Sequence, residues 1–132
     1  MRCPCDSNIT YALCCGLFID KHHQPKSAEA LMRSRYCAYY FNHIDYIMKT
    51  MRGKPLMGFS KKDVLDTNSF INWQSLEIIE ATENTVEFKA VCLTEDGNSS
   101  TLHEISMFKQ KNAQWFYIGA LSLLNCDKPL KK

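Results

Sequence analysis

At 132 residues, 45% hydrophobic and 23% charged, the chain has the composition of one soluble globular domain able to bury roughly two-thirds of its unfolded surface. These values exclude disorder and fibrous repeats, and the apolar stretch Tyr11 to Ile19 is far shorter than the ~20 residues a membrane span requires. Net charge is only +2, but residues 1–62 carry ten Lys/Arg against four Asp/Glu (+6), and residues 63–132 carry six against ten (−4).

A basic half favours anionic partners such as RNA or an acidic protein surface; the blander reading is a solvated basic face. Seven cysteines, an odd total, argue against a closed disulfide framework. Arg2 is followed by Cys3, Pro4, Cys5 and Asp6 where the apolar region of a secretory signal would begin. A cytoplasmic protein is therefore expected, with no membrane association. In that compartment clustered cysteines bind metal more often than they form disulfides.

The chain begins with a cysteine module, placed at 1–19. Its spacing is Cys3-x-Cys5, eight residues, then Cys14-Cys15. Pro4 restricts the first turn, and Ser7 is expected to cap a helical turn from Asn8 to Leu13 that brings the second pair back to the first. Four sulfurs about 2.3 Å from one ion make a closed tetrahedral site, structural rather than catalytic because no position stays open for substrate. Zn2+ is the expected ion, with iron as the alternative for an all-sulfur site. Arg2 is the nearest candidate cation to offset the thiolate charge. His22 and His23 follow in a polar linker and are not needed as ligands.

An α+β domain is expected over 27–125. Ser27 is a good N-cap, and Ala28, Leu31, Met32, Tyr36 and Tyr39 recur at helical spacing to about Phe41. A second helix spans Ile44 to Met51, with Asp45 in its favourable first turn. Gly53, Pro55 and Gly58 mark a loop, and Ser60 starts a third helix to about Phe70. The period then changes to alternation. Strands are expected at Trp73–Glu80, Thr85–Thr94, Leu102–Lys111 and Trp115–Leu123, with Asp96-Gly97 as one turn. Helices first and a meander second predict about three helices packed on a curved antiparallel four-stranded sheet. Residues 126–132 make a short basic tail. Cys37 and Cys92 fit apolar positions, where a free thiol behaves as a small hydrophobe.

Cys3-Pro4-Cys5-Asp6-Ser7, Tyr11 and Cys14-Cys15-Gly16 resemble the SEC-C metal-binding motif known from the tail of the SecA translocation motor. Ala28 to Tyr36, Asp45-Tyr46, Leu102-His103-Glu104 with Phe108, and Trp115 with Tyr117 resemble the YchJ-like family of SEC-C proteins. The resemblance covers nearly the whole chain. It implies a fold similar to nuclear transport factor two, a cone of curved sheet around helices, and a role uncharacterised in the family itself. The chain departs from the motif in two ways. Asp6 and Asn8 replace glycines, and both residue types tolerate left-handed backbone. Ile9, Thr10, Ala12 and Leu13 replace the lysines through which such tails contact the SecB chaperone or ribosomal RNA. Similar binding here would lean on Lys21, Lys26 and the helix arginines. The second, C-terminal knuckle of many relatives is absent, since only Cys126 is found there.

Arg35 falls within the apolar stripe of the first helix, and a buried arginine needs a carboxylate or an anionic ligand. Glu104 is the candidate partner, and Tyr36, His103, Trp115 and Tyr117 are candidates to line a pocket between sheet and helix. The favoured reading is a core ion pair, with a ligand pocket as the alternative; His103 alternates to the face opposite Glu104. No nucleophile–base–orienter set can be assembled, so catalysis is not indicated. The sequence thus predicts a non-enzymatic metal-binding adaptor docking on a protein or ribosomal partner, with no DNA expected. A small-molecule binder or enzyme using the pocket, and a thiol redox sensor, are the alternatives.

Overall fold

The short-range signals for the first long helix are used as expected. The Ser27 hydroxyl accepts from the Ala30 amide at 3.0 Å and opens α2 (Ala28–Phe41). Asn42 closes the helix in the left-handed region, at φ 64°. The structure is a computed structural model and describes residues 1–123. Cys126 and the basic tail at 126–132 lie outside the described residues.

Before α2 comes a single 3-10 turn, Tyr11–Leu13, and a four-residue helix α1 (Gly16–Ile19). After it come α3 (Ile44–Lys49), α4 (Lys54–Met57) and α5 (Lys61–Asn68). Sequence reading leaves 53–58 as a loop. Gly53 at φ 77° and Pro55 within the first turn instead start one helical turn there, because proline's fixed φ suits that position. The third helix ends earlier than expected, and Ser60 caps it by accepting from the Asp63 amide at 3.1 Å.

Four strands follow, β1 (Ile71–Ala81), β2 (Thr85–Thr94), β3 (Ser99–Lys111) and β4 (Gln114–Leu123), antiparallel in the order β1-β2-β3-β4. Register shifts between Trp73 and Ser75 and between Ile78 and Glu80 put extra residues into β1, and those opposite Ile105/Ser106 and Met107/Phe108 put extra residues into β4, which bends and twists the strands. The sheet therefore curves around α2. Its concave face buries Val86, Phe88, Ala90 and Phe108 against Leu31, Met32 and Ile47 from the helices. Each such side chain contributes roughly 1.5–3 kcal/mol through removal from water. The segment after α3 is stitched to β4: the Tyr117 amide donates to the Thr50 carbonyl at 2.8 Å, and the Arg52 amide donates to the Tyr117 carbonyl at 3.0 Å. No helix among the described residues is long and apolar enough to cross a membrane.

Candidate metal centre and sheet–helix cavity

Two bends at the start of the chain put the cysteines in place. Asp6 (φ 64°) and Asn8 (φ 71°) both occupy the left-handed region, which Asn and Asp enter at less cost than other side-chain-bearing residues. The chain doubles back, so that the Cys3 amide donates to the Ile9 carbonyl at 2.8 Å and the Tyr11 amide to the Met1 carbonyl at 2.9 Å. The helical turn is shorter than expected and begins after Thr10; Ser7 does not cap it. The Ser7 hydroxyl instead accepts from the Ile9 amide and sits 3.2 Å from Cys14 Sγ. Gly16 lies so close to this turn that a Cβ there would fall 2.8 Å from the Tyr11 carbonyl oxygen.

The result is a cluster in which the Sγ atoms of Cys3, Cys5, Cys14 and Cys15 all lie within 4.8 Å of one another. Cys5 and Cys14 are 3.7 Å apart and Cys14 and Cys15 4.0 Å. Ligand sulfurs at 2.3 Å from one tetrahedral ion would be about 3.8 Å apart. Cys3, Cys5 and Cys15 are buried and Cys14 is half-buried. The donor set and its spacing are compatible with a tetrahedral thiophilic ion, and His22 and His23 stay exposed outside it. The sulfurs perturb one another. The neighbouring Cys3 sulfur pushes the Cys15 thiol far above its usual range, whereas Cys15 and Cys37 lower Cys3 to about 6.

Two neighbours of the cluster were not anticipated. Arg2 is exposed, with its backbone in an isolated bridge to Thr10, and among the described residues the arginine in contact with the cluster is another. It is Arg33, whose Nη1 donates to the Cys5 carbonyl at 2.7 Å and lies 3.8 Å from Cys5 Sγ. Glu29 holds Arg33 from the preceding turn at 3.0 Å. The position is legible afterwards, since Glu29 and Arg33 form an i, i+4 pair on one face of α2. Cys37, also on α2, is fully buried with its Sγ 3.4 Å from Cys3 Sγ. It does occupy an apolar position, but it also adds a fifth sulfur beside the four. No local sequence signal marks this, because the proximity arises from how the knuckle packs on the helix. Asp6 completes the docking, its Oδ2 accepting from the Leu76 amide of β1 at 3.0 Å.

The pocket candidates separate into three groups. Arg35, Tyr36, Glu104 and Tyr117 line a cavity of about 320 Å3 between α2, α5 and the concave sheet. His103 is on the other face of the sheet, 2.8 Å from Glu87, because side chains alternate along β3. Trp115 is also excluded: it packs near Phe18, Pro25 and Leu31 around a separate small cleft. The expected Arg35–Glu104 ion pair does not form. Arg35 Nη1 donates to the Ile47 carbonyl at 2.9 Å and to the Thr50 hydroxyl at 2.7 Å, and its guanidinium stacks over the Tyr117 ring at 4.7 Å. Glu104 accepts instead from Ser106 at 2.6 Å and from the Tyr117 hydroxyl at 3.2 Å. The Tyr117 side chain thus stands between the two charges. Burial lowers the Arg35 guanidinium below its ordinary value and raises the Tyr117 phenol. Sequence reasoning missed Trp73, Ser106 and Asn68 in the lining.

With this geometry in hand, comparison with known proteins is informative. Residues 27–120 match the family model described as YchJ, middle NTF2-like domain, and residues 2–17 match the SEC-C motif. The UPF0225 protein VP1145 of Vibrio parahaemolyticus is 34% identical over 122 residues, covering 88% of this chain and 72% of its own length. The solution structure of RPA3114, a SEC-C motif containing protein from Rhodopseudomonas palustris, superposes with a TM-score of 0.83 at 29% identity, covering 92% of this chain and 98% of that one. A crystal structure of a SEC-C motif containing protein from Psychrobacter arcticus gives a TM-score of 0.73 at 25% identity, covering 92% and 84%.

Proposed function

The chain belongs to the YchJ-like family of SEC-C motif proteins, and on that premise we propose that it is a non-enzymatic, metal-stabilised adaptor. Cys3, Cys5, Cys14 and Cys15 hold one structural ion, Zn2+ in preference to iron, and the shaped knuckle docks on a protein partner. The observation that carries the metal half of this reading is the four-sulfur cluster itself, with every Sγ within 4.8 Å of the others. Arg33 and backbone amides of the bent segment are placed to offset the thiolate charge. Four cysteine ligands saturate a tetrahedral ion, so the ion gives shape and not Lewis-acid chemistry.

The partner half rests on what the knuckle exposes. Met1 (72% exposed), Ile9 (46%) and Leu13 (70%) project from it, and large exposed apolar residues on so small a surface favour a protein contact over nucleic acid. Arg33 and Arg35, the helix arginines expected to assist docking, are drawn into the fold. The nearby exposed cations are Arg2, Lys21 and Lys26. The reduced thiols this site requires support a cytoplasmic setting.

Elemental analysis of protein purified without added metal is expected to give about one zinc per chain, and markedly less in Cys5→Ser. Metal-free protein with an intact knuckle removes the proposal. For docking, capture from extract is compared between wild type and an Ile9→Ser/Leu13→Ser double variant. A protein retained at moderate salt by the wild type and lost by the variant supports the reading. Retention of RNA alone, indifferent to the variant, sinks the protein contact.

A further inference from the structure

The cavity between α2, α5 and the sheet has no part in the reading above. Its walls are largely apolar, with Met32, Val64, Trp73, Phe88 and Leu102 among them, and its volume lies at the lower end of small-molecule sites. One wall is unusual. Arg35 is only 5% exposed, yet it has no carboxylate within ion-pair distance among the described residues. Only its Nη1 is hydrogen-bonded there. Its Nε and Nη2 carry none of the hydrogen bonds found among the described residues, and Arg35 lines the cavity. A guanidinium removed from bulk water with two donor nitrogens unused is costly unless something supplies acceptors. Two more donors on cavity-lining residues, the Tyr36 hydroxyl and the Trp73 indole nitrogen, are also without partners among the described residues.

We propose that this cavity binds a small monoanionic carboxylate with an aromatic or alicyclic body, its carboxylate received by the free edge of the Arg35 guanidinium. A carboxylate matches that planar fork geometrically and takes two parallel hydrogen bonds. The body lies among Trp73, Phe88 and Leu102, where removal from water favours an apolar ring. Glu104 sets the charge limit. Its carboxylate is on the same cavity and is satisfied by Ser106 and Tyr117, so it offers nothing to a second anionic group and repels one. Asp63, exposed on the rim in the first turn of α5, acts in the same sense. Phosphate monoesters and dicarboxylates are thereby disfavoured.

The test uses the full chain and two probes of nearly equal shape, benzoate and uncharged methyl benzoate, titrated while the Trp73 indole and Arg35 Nε–H resonances are followed by NMR. Saturable shifts of both signals by benzoate, at least about tenfold tighter than the ester, are expected. Arg35→Gln is expected to abolish that preference. Because Arg35→Gln also removes contacts to Ile47 and Thr50 and is at risk of misfolding, Glu104→Gln provides an independent arm. Removing the like charge is expected to tighten benzoate several-fold and leave the ester unchanged. The proposal is overturned if benzoate gives no saturable shift up to roughly 10 mM, if the ester binds equally well, or if Glu104→Gln weakens benzoate.

Discussion

The knuckle and the cone solve the same problem by different means. In the cone, Leu31, Ile47, Val86 and Phe108 are almost wholly withdrawn from water, and order follows from apolar area accumulated across a curved sheet and one long helix. Within residues 1–16 the buried side chains are only Cys3, Cys5 and Cys15. Ile9 and Leu13, which an ordinary small domain would bury, face solvent there. What that end has instead is four sulfurs gathered about one point, with backbone bends and anchors to α2 and β1 around them. A region too small to bury sufficient area can be given shape by ligation instead.

That contrast can be broken most directly by taking away the ion of the proposed centre. A strong chelator is expected to release hydrogen-exchange protection over residues 2–17 while β2 and β3 keep theirs. Loss of protection in both regions together would mean that the cone also depends on ligation. The converse perturbation is Phe108→Ala. Deleting a ring from the filled core is expected to cost about 3–5 kcal/mol in denaturant unfolding, with the metal content of the remaining folded protein unchanged. A cost below about 1 kcal/mol would show the concave face to be loosely packed.

Smaller changes sharpen the comparison within the knuckle. Gly16→Ala places a methyl 2.8 Å from the Tyr11 carbonyl, and the forced backbone shift is expected to cost about 1–3 kcal/mol. Faster metal loss to a competing chelator would report it, and an unchanged rate would show that the turn relaxes freely. Asn8, exposed and left-handed at φ 71°, gives the mildest test. Asn8→Gly is expected to be neutral or slightly stabilising, and Asn8→Val to lose roughly 1–2 kcal/mol through the left-handed penalty. If Val is as stable as Gly in thermal melts, the bend is not a constraint.

Much of this was legible from local chemistry. Ser27 and Ser60 as caps, the alternation of β2 and the left-handed use of Asp6 and Asn8 all depend on a few neighbouring residues, and such signals survive in the sequence. The cysteine quartet was legible for the same reason, its members lying within thirteen residues of one another. What escaped was set by packing across the chain. Arg33 rather than Arg2 approaches the sulfurs because α2 docks against the knuckle. Tyr117, paired with Phe108 across β3 and β4, lies over the Arg35 guanidinium where Glu104 was expected, a contact made only when helix packs on sheet. Trp115, a candidate for the cavity lining, is carried by the packing of β4 to another cleft.

Helix α2 forms a wall common to both chambers. Arg33 and Cys37 reach the sulfurs from it, while Met32, Arg35 and Tyr39 face the cavity from the same fourteen-residue rod. A rod that short does not flex separately at each residue, so a rotation or slide demanded at one chamber is delivered to the other. Whatever occupies the two chambers must therefore agree on a single placement of that helix.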